Sequence, residues 1–63
     1  MEYDLPRIGT LYKKGCQVKK VIDILFNHQS PPDIIYCEPG KKMMTGQWYP
    51  FWAEWVRDAT IIK

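Results

Sequence analysis

The segment "CQVKKVIDILF", residues 16–26, decides the fold of this chain, because its pattern fits either a strand or a helix. A helix would gather one apolar stripe: Val18, Val21, Ile22, Leu25 and Phe26. A strand would place another set on one face: Val18, Ile22, Ile24 and Phe26. The β-branched content favours the strand. Because no Ser, Thr, Asp or Asn precedes the run as a helix cap, we predict a strand.

Turn-forming residues bound this segment on both sides. "KKG" at 13–15 predicts a turn in which Gly15 adopts a positive φ. The loop "NHQSPPD" at 27–33 contains Pro31 and Pro32, and two consecutive prolines argue against a helix or a central strand there. "DIIYCE" at 33–38 predicts a second strand, and the dipeptide that follows it, Pro-Gly, begins the next turn.

The aromatic stretch "GQWYPFWAEWVRDA", residues 46–59, combines helical and extended signals. Its apolar side chains follow the spacing i, i+3, i+4, i+7 from Trp48, and Pro50 suits the first turn of a helix. We therefore predict a short helix or helical turn at 50–57, between strand ends at Trp48-Tyr49 and at "ATIIK".

The aromatic rings exceed what a core of this size needs. A chain of 63 residues is short, and a domain of this size buries only about 60 % of its unfolded surface. The β-branched residues already supply many core candidates. We predict that three rings are mainly buried: Trp48, Trp52 and Trp55. The side chains expected to face outward are Tyr49, Phe51 and Arg57.

The order of these elements resembles that of the SH3-like small β-barrels, in which a Gly-aromatic-Pro element precedes a 3₁₀ turn and the last strand. Here "GQWYP" is followed by "FWAEW" and "VRDATII", so the turn is longer than in that family. The opening "IGTLYKKGCQVKKVIDI" is similar to the Gly-x-x-Tyr openings of KOW- and Tudor-like barrels and of small phage-type barrel proteins. The resemblance covers roughly residues 8–62.

The resemblance implies a mostly β fold, a small SH3-like barrel with a short helical turn near the C-terminus. The alternative is an α+β fold with a helix at 16–28 and a second helix at 50–59, which follows if residues 16–26 are helical. The resemblance to phage-type barrels implies an accessory protein that acts on a host partner. The acidic loop with which peptide-binding SH3 domains hold basic proline-rich ligands is not evident, so such ligands are not expected.

Length and composition predict one small domain over residues 1–63, in which residues 1–7 need not be ordered. The start "MEYDLPRIGT" lacks the pattern of a signal peptide, and no apolar stretch approaches the roughly 18 residues of a membrane span. We therefore predict a cytoplasmic protein without a membrane partner. Cys16 and Cys37 are expected to be reduced thiols, with a bridge between neighbouring strands as the alternative.

The net charge of +2 is too small to indicate nucleic-acid binding by itself, but six lysines occur as adjacent pairs. The pairs are Lys13-Lys14, Lys19-Lys20 and Lys41-Lys42. If the three pairs share one face they form a positive surface for phosphates. The bland alternative is that they are solubilising residues in turns and on strand edges.

Motifs for catalysis, cofactors and metals are missing from the sequence. The only histidine, His28, lies in the polar loop, and its spacing from Cys16 and Cys37 does not suit a nucleophile–base set or a zinc site. "PGKKMMTG" does not match a phosphate-binding loop. We therefore predict no enzyme activity, no cofactor, no metal and no small-molecule substrate.

Two functions remain, from different classes. The first is a protein-interaction or inhibitor module, or a self-associating chain, with an adaptable aromatic and methionine-rich surface. Its predicted contact residues are Tyr49, Phe51, Trp52, Arg57, Met43 and Met44. The alternative is a nucleic-acid-binding module in which exposed rings stack on bases while lysines meet phosphates. Its predicted contact residues are Lys13, Lys14, Lys19, Lys20, Lys41 and Lys42.

Overall fold

A computed structural model of the protein describes residues 3–27 and 30–62. It contains a five-stranded antiparallel sheet and one short helix, so the prediction of a mostly β fold is confirmed. In chain order the elements are β1 (Leu11–Lys14), β2 (Gln17–Asn27), β3 (Ser30–Cys37), β4 (Met44–Trp48), α1 (Tyr49–Val56) and β5 (Thr60–Ile62). His28 lies outside the described residues.

The sheet has the strand order β4-β3-β2-β1-β5, and every neighbouring pair is antiparallel. Helix α1 follows one edge strand and leads to the other. No pairing joins β4 to β5 within the described ranges 3–27 and 30–62, so the sheet is open. The molecule is therefore a small all-antiparallel β fold whose sheet does not close on itself.

Residues 17–26 belong to strand β2 and Cys16 to the turn before it, so the alternative with a helix at 16–28 is wrong. β2 is the longest strand and pairs along both sides, with β1 and with β3. Its register shifts between Val21 and Asp23, which adds one residue and breaks the simple alternation of faces. As a result Val21 and Ile24, three positions apart, both reach the core. This irregularity explains why the apolar pattern also fitted a helix.

The prediction that Pro31 and Pro32 lie outside any strand is wrong. β3 begins at Ser30, although it is an internal strand of the sheet. The prolines are accommodated because the register with β2 shifts between Leu25 and Asn27, and the pairing with β4 begins only at the residue after them. They therefore occupy positions where the ladder requires no proline N–H.

The core lies between one face of the sheet and α1. Among the described residues, Pro32 is fully buried, and so are the three side chains at the centre of the core, Val21, Ile34 and Trp52. Partly buried side chains pack against them: Leu5, Tyr12, Ile24, Tyr36, Tyr49, Trp55 and Val56. The helix begins one residue before the predicted range, and Pro50 occupies its first turn as expected. The predicted turn at Gly15 is confirmed, with a φ of 60°.

Candidate functional site

Lys19 lies in the core rather than on the surface. It pairs with Tyr12 across β1 and β2 and is only 7 % exposed. Its Nζ lies 4.1 Å from the centroid of the Trp55 ring, 4.4 Å from that of Tyr36 and 5.9 Å from that of Trp52. We call these three rings and the amine they surround the Lys19 cage.

The amine and the two tryptophans of the Lys19 cage are each held by a second contact. Lys19 Nζ donates a hydrogen bond to Gln47 Oε1 at 3.0 Å, which joins β2 to β4 across β3. Trp55 Nε1 donates to Gln17 Oε1 at 3.0 Å. Trp52 stacks against Trp55 at a centroid distance of 5.7 Å. The two tryptophans are three residues apart on α1, so they project from the same side of the helix.

Opposing effects act on the charge of Lys19. Burial lowers the pKa of its amine, Lys14 lowers it further by repulsion, and Glu38 partly offsets both. The negative faces of the surrounding rings and the oxygen of Gln47 favour the protonated amine. The Lys19 cage therefore holds a cation inside the core and supplies its interaction partners. Its amine is not available to bind a phosphate.

Two other rings of the aromatic stretch face solvent. Trp48 is 42 % exposed and Phe51 is 60 % exposed, so the prediction that Trp48 is buried is wrong. Their ring centroids are 5.9 Å apart. Trp48 Nε1 donates to the carbonyl oxygen of Pro31 at 3.2 Å. The pair is thus exposed but held in place, which lowers the entropy lost when another molecule covers it.

Further apolar side chains extend this exposed pair over the face of the sheet opposite α1. Asp33 lies across from Trp48 on one side and from Leu25 on the other, which places all three in one cross-strand row. Met44 is on the same face of β4 as Trp48, because strand residues alternate. Leu25 is 52 % exposed and Met44 is 66 % exposed. We call Leu25, Met44, Trp48 and Phe51 the β4 surface.

The predicted protein-contact residues lie in different environments. Phe51, Arg57, Met43 and Met44 are exposed. Tyr49 is half-buried, and its hydroxyl accepts a hydrogen bond from the main-chain N–H of Asp4 at 3.1 Å.

Trp52 needs a correction as a predicted contact residue. It is only 1 % exposed, because α1 presses its ring between Tyr12 and Tyr36. It is a core residue and offers no surface to a partner. Two members of the β4 surface, Leu25 and Trp48, were not among the predicted contact residues, because a strand register shift and the helix start determine their exposure.

The six predicted lysines do not form one surface. Strand alternation directs Lys13 and Lys20 to the face opposite α1, whereas Lys14 and Lys19 lie on the helix side. Lys41 forms a salt bridge with Glu38 at 2.9 Å, and both it and Lys42 are exposed in the segment between β3 and β4. Each of the first two pairs is therefore divided between the two faces of the sheet.

A half-open cleft of about 330 Å³ lies at the other end of α1. Its lining residues include Asp4, Tyr12, Trp52 and Arg57. Burial raises the pKa of the Tyr12 hydroxyl, and the nearby Asp4 carboxylate adds to the rise. The apolar floor of this cleft is the outer side of the core, because Trp52 forms part of both.

Cys16 and Cys37 are both free thiols. No group of three or more His, Cys, Asp or Glu side chains within 3–27 and 30–62 is placed to hold a metal ion. Over the same ranges, no helix has the length and apolar character that crossing a membrane requires.

The comparisons with known proteins give no relatives. No family model, no curated protein and no solved structure matches this chain.

Proposed function

We propose that this protein is a non-enzymatic interaction module that binds a protein partner through the β4 surface. One observation carries the proposal: Trp48 and Phe51 are exposed as a packed pair, with the indole of Trp48 anchored to Pro31. Tryptophan is enriched among the residues that contribute most to protein–protein binding. A ring that is already held in place binds without a large loss of side-chain entropy.

The neighbourhood of the pair supports a protein partner. Leu25 and Met44 add flexible apolar area on either side, and methionine adapts its shape to a partner. Gly46 lies between Met44 and Trp48 on the same face, and the side chain of Ile35 from β3 packs over it, 3.2 Å from where a Cβ would be. Extended apolar patches on small soluble proteins commonly mark binding sites. Because the exposed Asp33 lies between Leu25 and Trp48, this surface suits a partner face that is mainly apolar and offers a polar group to that carboxylate.

The proposal includes the finer fold that the resemblance implies. The strand order β4-β3-β2-β1-β5, with a helical segment before the last strand, supports the arrangement of an SH3-like barrel. We propose the same arrangement here, in an open form. An accessory role on a host partner, and a cytoplasmic location, remain predictions from that resemblance and from the sequence.

A second candidate is nucleic-acid binding, and one observation favours it. Lys13 and Lys20 are exposed on the face that also carries Trp48. They are diagonal neighbours on the β1–β2 hairpin, because Lys13 pairs with Val18. Two lysines give a weak positive surface, and binding through them would fall steeply with added salt.

The test is capture of partners from a lysate of the native cell by the immobilised chain, with and without nuclease and at low and high salt. The double variant Trp48→Ala/Phe51→Ala removes the exposed pair. The matched control is Ile8→Ala/Ile61→Ala, because these side chains are similarly exposed, at 63 % and 56 %, but lie away from β4.

We expect a protein that survives nuclease and salt, is lost with the ring variant and is kept by the control. Capture that disappears with nuclease, salt or Lys13→Gln/Lys20→Gln would establish the second candidate instead. Capture that both apolar variants reduce equally would contradict a specific role for the β4 surface.

A further inference from the structure

β4 is an edge strand whose outer side is unpaired. Its main chain pairs with β3 without interruption from Met44 to Trp48. Over residues 3–27 and 30–62, no main-chain hydrogen bond leaves β4 on the side away from β3. The strand therefore presents a row of N–H and C=O groups that can pair with another strand.

The sequence of β4 lacks the features that usually protect an edge. "MTGQW" contains no charged residue and no proline, and its register with β3 has no bulge. The other edge, β5, has three residues, whereas β4 has five. β4 is thus the edge that offers more pairing groups, and it carries two side chains of the β4 surface.

We propose that β4 pairs antiparallel with β4 of a second copy of this chain, about a twofold axis at Gly46. This inference rests on the proposed function and names the partner of the same surface. In this register Met44 lies opposite Trp48 of the second copy, and Thr45 lies opposite Gln47. The two sheets then join into one continuous sheet across a symmetric dimer. No third copy can add at β4, because both β4 edges are paired in the contact.

The chemistry of β4 is self-complementary in this register. A methionine thioether makes favourable contacts with an indole ring, and the twofold axis supplies two such Met44–Trp48 contacts. On the other face, Gln47 uses its oxygen to accept the bond from Lys19. Its amide N–H groups can then donate to other acceptors, and the hydroxyl of Thr45 in the second copy is one.

Other symmetric registers leave residues of β4 without a partner in the second strand. An axis at Thr45 would place Met44 opposite Gly46 and carry Trp48 past the end of the partner strand. An axis at Gln47 would place Trp48 opposite Gly46 and leave Met44 without a strand residue across from it. The axis at Gly46 is the symmetric choice that pairs all five residues, and it places no side chain of β4 on the axis.

The direct test uses the unmodified chain. Sedimentation equilibrium from about 10 µM to about 1 mM covers the affinities expected of a small interface. Isotope-filtered NOE spectra of a mixture of labelled and unlabelled chains then locate the contact. We expect a concentration-dependent dimer with NOEs between the Met44 methyl group and the Trp48 indole of the other copy. A monomer over the whole range, or contacts located at β5, would overturn the proposal.

A matched pair of variants tests the edge independently. Met44→Asp puts a carboxylate into the apolar contact, so we expect the dissociation constant to rise by about tenfold or more. Met43→Asp adds the same charge one residue outside the strand, on a side chain that is 78 % exposed. We expect a change of less than about twofold for it. Equal effects of the two variants would overturn the assignment to β4.

The two proposals fail separately. A chain that stays monomeric but captures a protein in a Trp48-dependent manner overturns the pairing and leaves the interaction surface in place. A dimer with the Met44–Trp48 contact supports the pairing even when the chain captures no other protein.

Discussion

Two pairs of aromatic residues in one short stretch lie in opposite environments. Trp52 and Trp55 turn inward and, with Tyr36, surround the amine of Lys19. Trp48 and Phe51, a few positions earlier, face solvent. The difference teaches that aromatic content does not say which rings form the core. The position of each ring relative to the start of α1 decides it.

The inner pair also explains how a small sheet covered by one helix holds a charged group in its core. A lysine in an apolar core is unfavourable unless its charge is paired or hydrogen-bonded. Here the ring faces and Gln47 supply that compensation. In the outer pair, the polar contact found among the described residues is the bond from Trp48 Nε1 to the carbonyl of Pro31. The inner rings therefore serve folding, whereas the outer rings stay exposed to solvent.

Trp52→Ala should have the largest effect on stability and is the strongest test of the comparison. Trp52 is the largest fully buried side chain and contacts Tyr12, Tyr36 and Trp55. Truncation of such a ring costs about 3–5 kcal/mol. Much of the chain should then be unfolded, as measured by circular dichroism and urea titration. A loss below about 1 kcal/mol, the level of a surface change, would contradict the assignment of Trp52 to the core.

Lys19→Ala should have the next largest effect. It removes a buried side chain and leaves a cavity among three rings, so we expect a loss of about 2–4 kcal/mol in the free energy of unfolding. Lys19→Met fills the cage without charge and should lose less than about 1.5 kcal/mol. Urea unfolding of both variants measures the contrast. If Lys19→Met is as damaging as Lys19→Ala, the charge rather than the packing dominates the cage.

The pH dependence of the free energy of unfolding should show how folding changes the pKa of the Lys19 amine. Because burial and Lys14 lower the pKa of Lys19 in the folded state, the unfolded chain binds more protons just below the ordinary lysine pKa. The free energy of unfolding should therefore rise with pH in that alkaline range. The raised pKa of Tyr12 acts in the opposite direction at higher pH.

Lys19→Met separates these two contributions, because it keeps Tyr12. We subtract the free energy of unfolding of this variant from that of the original chain. The result should increase with pH through the alkaline range, as measured by urea unfolding at a series of pH values. A difference that decreases would show that the rings and Gln47 outweigh burial and raise the pKa of Lys19.

Phe51→Ala should have the smallest effect on stability. Phe51 is adjacent to Trp52 in sequence but is 60 % exposed, so we expect a change within about 0.5 kcal/mol. The same variant should weaken binding through the β4 surface. A large loss of stability, measured as for Trp52→Ala, would show that the outer pair belongs to the core and would remove the contrast between the two pairs.

Much of the fold follows from local signals. The strand at residues 17–26, the turn at Gly15 and the short helix beginning near Pro50 all follow from β-branched content and turn chemistry. The exposed position of Phe51 also agrees with the sequence prediction. The strand position of Pro31 and Pro32 could not be predicted from local signals, because only the shifted register with β2 shows that no N–H is needed there.

The sequence by itself therefore determined the kind and order of the elements, since strand, turn and helix preferences are properties of a few neighbouring residues. The tertiary structure alone decided which side chains are buried. The extra residue in β2 brings Val21 and Ile24 to one face, and strand alternation turns Lys19 inward. α1 then closes over Lys19 with Trp52 and Trp55, and Trp48 is left outside. These outcomes depend on register and on packing between distant segments, which no local pattern contains.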